Sequence, residues 1–289
     1  MAMLGASVII ACRSEKRALE AIARMKSDFQ REKEQKTEGA TQTDDISVEF
    51  MKLDLSSLGS TKELTDQFID SGRQLNTLIC NARIAFHPLE YTEDGNETMF
   101  QVNYLSQLLL TFHLLPVMKR SGDDSRVILV SSHGHNFHST PFTVDKIQGK
   151  QHNADNFPRF KYYGNSKLYQ ILQMYFMNRR LADSNVCVVS TSWIGRHRSN
   201  TRISRYFMDD LGLENSKSKS PVEGAECTLN AAINPALKGV RDVYYQDCKP
   251  KNTHDDARNK DIQESVLEYS LSRLNDFITD DIRNEWKTK

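Results

Sequence analysis

Three features of the sequence predict an α/β fold built on a doubly wound parallel sheet. Short apolar runs rich in β-branched residues alternate with longer segments of helical period, the pattern of successive βαβ units. The runs are apolar throughout, as strands buried on both faces require. Polar residues follow directly on several of them, and ligands of open parallel sheets bind at the carboxyl ends of strands.

The first strand is expected at residues 7–12, from the run Val8-Ile9-Ile10. Residues 18–29 have helical spacing through Leu19, Ile22 and Met25. Residues 30–45 are charged, carry Gly39 and hold almost no apolar side chain, which reads as a solvated helix end and a loop. A second strand covers 48–53 and ends at Asp54. Residues 56–60 supply helix-start residues, and Leu64 and Phe68 form an apolar i,i+4 stripe after them.

A third strand is expected at 75–80, and the long apolar stretch 100–119 is a buried helix carrying Asn103. A fourth strand, 126–130, runs straight into Ser131-Ser132. Residues 163–181 form a helix with Leu168, Ile171, Leu172, Tyr175 and Phe176 toward the core. A fifth strand at 186–191 precedes a polar, irregular stretch at 199–221. A helix at 222–234, a short strand at 242–245 and a terminal helix at 262–277 follow. No internal repeat or low-complexity linker divides the sequence, so one domain over 1–289 is expected.

Composition narrows the function classes. The 289 residues are 38% hydrophobic and 26% charged, with 38 basic and 38 acidic side chains. A net charge of zero gives no support to nucleic-acid or anionic-membrane binding. Five cysteines, odd in number and without a CxxC pair, fit reduced thiols and a cytoplasmic location. No apolar run reaches the ~20 residues of a membrane span. The apolar start lacks a basic leader and reads as core strand, not signal peptide.

Chemistry concentrates at Tyr163 and Lys167, four residues apart and therefore on one helical face. A phenol titrates near ~10, and a neighbouring ammonium favours the phenolate, which suits proton exchange with a carbonyl or alcohol. Ser132, Asn81 and Asp54 each lie just past a predicted strand. Taken singly, Ser132 is also an ordinary turn hydroxyl and Asn103 a satisfied buried amide. His133, His135 and His138 crowd one loop with no carboxylate or cysteine beside them, which argues against a metal site.

These residues in order give the chain a resemblance to the short-chain dehydrogenase/reductase family. Val130-Ser131-Ser132 and Tyr163-Gly164-Asn165-Ser166-Lys167 resemble its catalytic signature. Cys80-Asn81-Ala82 is similar to its NAG motif, and Asn103 matches the asparagine of its tetrad. The runs 97–103 and 244–248 are similar to its retinol dehydrogenases and its WW-module-linked branch.

The resemblance implies a Rossmann-like fold and a set of roles. Tyr163 exchanges a proton with the substrate oxygen, Lys167 lowers the tyrosine pKa and holds the nicotinamide ribose, and Ser132 binds the carbonyl oxygen. Asn103 holds a water linked to Lys167. Asp54 contacts adenine, and Asn81, Ala82 and Gly195 line the cofactor. Arg13 follows the first strand, where no acidic residue is present to take a ribose diol. An arginine there can pair with a 2′-phosphate, which favours NADP over NAD.

The sequence departs from the family pattern in three places. The opening strand and glycine-rich phosphate loop have no counterpart, so an N-terminally truncated domain with a sheet interrupted at its centre is expected. Arg83 stands where the family has glycine and is expected to crowd the cofactor. Trp193-Ile194-Gly195 replaces a proline-glycine turn.

The function expected is NADP-dependent hydride transfer to or from an alcohol or carbonyl of an apolar, steroid- or retinoid-like substrate. The alternative is a weak or inactive dehydrogenase-like adaptor that works through protein-binding modules upstream.

Overall fold

The computed structural model describes residues 1–38, 44–139, 143–192 and 221–287. The chain forms two compact units, Met1–Leu55 and Ser56–Lys289.

The first unit contains β1 (Val8–Cys12), α1 (Glu15–Glu34) and β2 (Val48–Lys52). The strands pair in parallel from Val8 opposite Val48 to Cys12 opposite Lys52. Ser14 caps α1, its hydroxyl accepting from the Arg17 N–H, and Arg31 and Lys33 offset the helix dipole at the other end. Phe29, Ile46 and Val48 are buried, with Val8, Ile10 and Ile22 packed against them. Leu19 and Met25, expected to face inward, are 51% and 43% exposed. Ala18, Ile22 and Phe29 turn inward instead, and Leu19 lies one residue, or ~100°, around the helix from Ala18.

The second unit contains α2 (Leu58–Asp70), β3 (Thr77–Cys80), α3 (Thr98–Phe100), α4 (Ser106–Lys119), β4 (Ser125–Val130), α5 (Arg159–Arg180), β5 (Val186–Ser192) and α6 (Pro221–Ile233). It continues with β6 (Tyr244–Gln246), β7 (Lys249–Lys251), α7 (Asp255–Arg258), α8 (Lys260–Arg273) and α9 (Asp280–Lys287). Its sheet has the order β3-β4-β5-β6-β7 and is parallel apart from β7. The strands thus form two sheets, and among the described residues β1 and β3 each pair with a strand on one edge only.

The buried helix expected at 100–119 is interrupted. A π-helical turn, Gln101–Leu105, separates α3 from α4 and carries Asn103. Such turns recur at functional sites. Strand β7 was not foreseen. The β6–β7 turn places Asp247 and Cys248 at φ 51° and 59°, a two-residue hairpin without the Asn-Gly pair that usually marks one.

The core lies between the sheet and helices α4, α5 and α8. Trp286 of α9 completes it, its ring stacked on Phe112 with centroids 4.7 Å apart. All five cysteines are free thiols, and no described helix is long and apolar enough to cross a membrane.

Candidate active site

Two glycines allow the loop after β4 to lie against α5. A Cβ on Gly164 would stand 2.8 Å from the Gly134 carbonyl oxygen and 3.1 Å from the His138 nitrogen. A Cβ on Gly134 would stand 3.2 Å from the Tyr163 ring and 3.4 Å from the Ser132 hydroxyl. Glycine at both places brings strand end and helix together.

Ser132 caps the turn His133–Phe137, its hydroxyl accepting from the Gly134 N–H at 3.1 Å. That hydroxyl and the Arg83 guanidinium are the polar groups that act on the Tyr163 phenol. Next door, the Ser131 hydroxyl donates to the Lys167 carbonyl at 2.9 Å, pinning β4 to α5 one turn beyond Tyr163.

The electrostatics reverse one expectation. Burial raises the Tyr163 phenol above its ordinary pKa. The strongest opposing influence is the charge of Arg83, followed by hydrogen bonds from Ser132 and Arg83. Lys167 is fully buried and pushed well below the ordinary ammonium range by burial first and by Arg83 second. Its Nζ donates to the Val130 carbonyl and to Gln170 Oε1, both at 2.9 Å, and lies 5.9 Å from the centre of the Tyr163 ring. Lys167 is therefore not what acidifies the phenol. The cation whose charge lowers the phenol's pKa is Arg83, whereas Lys167 turns its Nζ toward the Val130 carbonyl and Gln170.

Asn103 makes three direct hydrogen bonds. Its amide donates to the Ile84 carbonyl and to the Ser166 hydroxyl, and its oxygen accepts from the Ile84 N–H, all at 2.8–2.9 Å. These contacts brace the 81–84 segment against α5, and the side chain does not reach Lys167. The lysine is linked instead through Gln170 and Gln107 to the Ala82 carbonyl, by bonds of 2.9, 2.9 and 2.7 Å. Gln170 lies three residues after Lys167, on the same helical face, so helical spacing could have found it.

Asn81 and Ala82 are exposed at the carboxyl end of β3, open to a ligand. Arg13 is exposed and Asp54 half-buried, each just past a strand of the first unit. Gly195 and Trp193 lie outside the described residues. The His138 expectation fails on one point: Asp256, 118 residues away in sequence, places Oδ2 2.8 Å from His138 Nε2.

A nicotinamide cofactor can be tested against these residues. Lys167 uses two of its three N–H donors and keeps one for a ribose hydroxyl. The exposed strand end at Asn81-Ala82 adjoins Arg83. The set fits the nicotinamide end of such a cofactor, which would supply the hydride.

A phenol with a hydroxyl and a guanidinium near it, at the end of a parallel strand, makes a site for proton exchange with a polar oxygen. A family model described as short chain dehydrogenase matches residues 1–144. Retinol dehydrogenase 14 of Homo sapiens is 31% identical over 274 residues, covering 92% of this chain and 78% of that protein. The WW domain-containing oxidoreductase of Homo sapiens is 32% identical over 250 residues, covering 86% of this chain and 57% of that protein. The RhlG/NADP active-site complex of Pseudomonas aeruginosa has the same fold, with a TM-score of 0.58 at 18% identity over 84% of this chain and 88% of that one.

The chain belongs to the short-chain dehydrogenase family. By that resemblance it is an oxidoreductase that uses a nicotinamide cofactor and a small-molecule substrate.

Proposed function

We propose that the protein transfers hydride between NADP and an alcohol or carbonyl of an apolar, steroid- or retinoid-like molecule, as one catalytic domain acting in the cytoplasm. Tyr163 exchanges the proton with the substrate oxygen. Ser132 donates to that oxygen and stabilises its developing charge. Lys167 takes the ribose with its remaining donor, and Asn103 acts by holding Ile84 in place. Asn81 and Ala82 border the nicotinamide, and, as the family resemblance implies, Asp54 contacts the adenine and Arg13 the 2′-phosphate.

The observation that carries this reading is that Tyr163 and Ser132 flank Gly134, whose Cβ would stand 3.2 Å from the one ring and 3.4 Å from the other's hydroxyl, with the charge of Arg83 acting on the same phenol. The apolar substrate class rests on an aromatic wall beside that phenol. Phe86 lies 5.4 Å from the Tyr163 ring and stacks on Phe160 at 5.9 Å, and Phe137, 47% exposed, packs on Phe160 at 5.4 Å. Phe86 also holds a left-handed φ of 53°, a backbone cost that functional sites commonly carry.

Reduction of retinaldehyde and of steroid ketones, with NADPH and NADH in parallel, tests the reading. It expects turnover with NADPH and a strong loss in Ser132→Ala. No reduction of any apolar carbonyl by the wild type, or a preference for NADH, counts against it.

A second reading, a catalytically weak adaptor that works through protein partners, is favoured by the same Arg83. Its charge acts on the phenol whose oxygen a substrate must reach. If Arg83 blocks the site, Arg83→Gly raises turnover. If it aids catalysis, Arg83→Gly lowers it.

A further inference from the structure

Outside the proposed catalytic cluster, His138, His254 and Asp256 converge on one point, their ligating atoms all within 4.8 Å of one another. His138 comes from the loop after β4, and the other two come from the start of α7. The His138 side chain is wholly buried, whereas those of His254 and Asp256 are 33% and 28% exposed.

The His138 ring lies between two oxygens. Nδ1 is 2.8 Å from the His135 carbonyl, and Nε2 is 2.8 Å from Asp256 Oδ2. A carbonyl and a carboxylate only accept, and a neutral imidazole has one N–H to give. Once Nδ1 serves the carbonyl, Nε2 presents a lone pair to the carboxylate. A positive species must lie between them, either a second proton or a metal ion.

A ring nitrogen donating to a backbone carbonyl is also how metal-bound histidines are usually held. His254 can add a second nitrogen ligand if its Nδ1 gives up the bond by which it caps α7. Its Nδ1 accepts weakly from the Asp256 N–H at 3.2 Å and lies 3.9 Å from Asp256 Oδ2. The two imidazoles meet edge to face with centroids 4.5 Å apart.

We infer that His138, His254 and Asp256 bind one first-row divalent cation of the zinc class, with water in the remaining position. Two imidazoles and one carboxylate suit zinc and its neighbours and do not suit calcium or magnesium, which prefer oxygen ligands throughout. Zinc bonds of ~2.0–2.1 Å set ligand atoms roughly 3.3 Å apart, so Nε2 and Oδ2 separate by about half an ångström on binding. The exposed sides of His254 and Asp256 provide entry. The ion replaces the proton on His138 Nε2, which leaves to solvent.

The consequence is positional. The ion ties α7 to the loop that begins at Ser132 and rests on Gly164, where the Ser139 N–H also donates to Asn165 Oδ1 at 2.8 Å.

Calorimetric titration of the tag-free, chelator-treated full chain with zinc chloride tests the inference without reference to turnover. It expects one ion per chain and a loss of affinity of at least about tenfold in His254→Ala and in Asp256→Asn. Both residues are partly exposed, so these variants are expected to fold even if His138→Ala does not. Cobalt(II) in place of zinc is expected to give visible absorption that His254→Ala abolishes. Three results overturn the inference: no zinc bound, zinc bound equally by wild type and both variants, or nitrogen NMR showing a doubly protonated His138 that zinc leaves unchanged.

Discussion

Strands β1 and β4 carry nearly interchangeable apolar runs, Val8-Ile9-Ile10-Ala11-Cys12 and Val127-Ile128-Leu129-Val130, yet their surroundings differ. All six residues of β4 are buried, and all five of β1 are only half-buried. β4 lies in register between β3 and β5, whereas among the described residues β1 pairs with β2 alone. An apolar run specifies that a strand forms, and its neighbours decide how deeply it is buried. The difference also bears on function, because Ser131 and Ser132 extend from the strand held on both edges. Catalytic geometry needs that kind of rigid support.

Substitutions can break this contrast or sharpen it. The largest expected effect on stability is Ile128→Ala, at about 2–5 kcal/mol by chemical denaturation. Ile9→Ala in half-buried β1 is expected to cost well under half as much. Equal costs would mean that β1 is as well packed as β4.

The pH dependence of stability probes the second unit at Glu97. This residue caps α3 through bonds to the Met99 and Phe100 N–H groups, and burial raises it to about 7 despite those bonds. A carboxyl with a raised folded value favours its protonated form, so its contribution is greatest near and below the ordinary 4.5. As pH rises from 4.5 to about 7, stability falls by about 3 kcal/mol. Glu97→Gln is expected to flatten that decline between pH 4.5 and 7, and an unchanged slope would refute the assignment.

Gly164→Ala drives a methyl group into the Gly134 carbonyl 2.8 Å away. A loss of roughly 1–3 kcal/mol follows from overpacking, with a larger proportional loss of activity as Ser132 and Tyr163 are pushed apart.

A smaller effect is expected in the first unit. Arg13→Ala is predicted to raise the NADPH KM about tenfold with kcat nearly intact, the effect of losing one charge-assisted hydrogen bond.

Much of the site was legible because helical and strand periods place residues without reference to distant contacts. The spacing of Tyr163 and Lys167, and the position of Ser132 after an apolar run, are local facts, and Ser132 and Tyr163 both lie against Gly134. The sign of the tyrosine shift was not legible, because it depends on burial and on Arg83, 80 residues earlier in the chain. Asn103 was found, but its partner Ile84 depends on how 81–84 folds back. The pairing of His138 with Asp256 spans 118 residues, and no periodicity carries it. The π-turn at Gln101–Leu105 and the Asp247-Cys248 hairpin lack local signatures, so α4 was expected to start too early and β7 was not expected at all.

The most direct test of proton exchange at Tyr163 is the single-turnover rate of carbonyl reduction by NADPH in wild type and Tyr163→Phe. Both proteins should first be matched for folding by their thermal melts. A fall of about 10²–10⁴-fold is predicted, the usual worth of one positioned acid. Comparable rates in the two proteins would contradict the account.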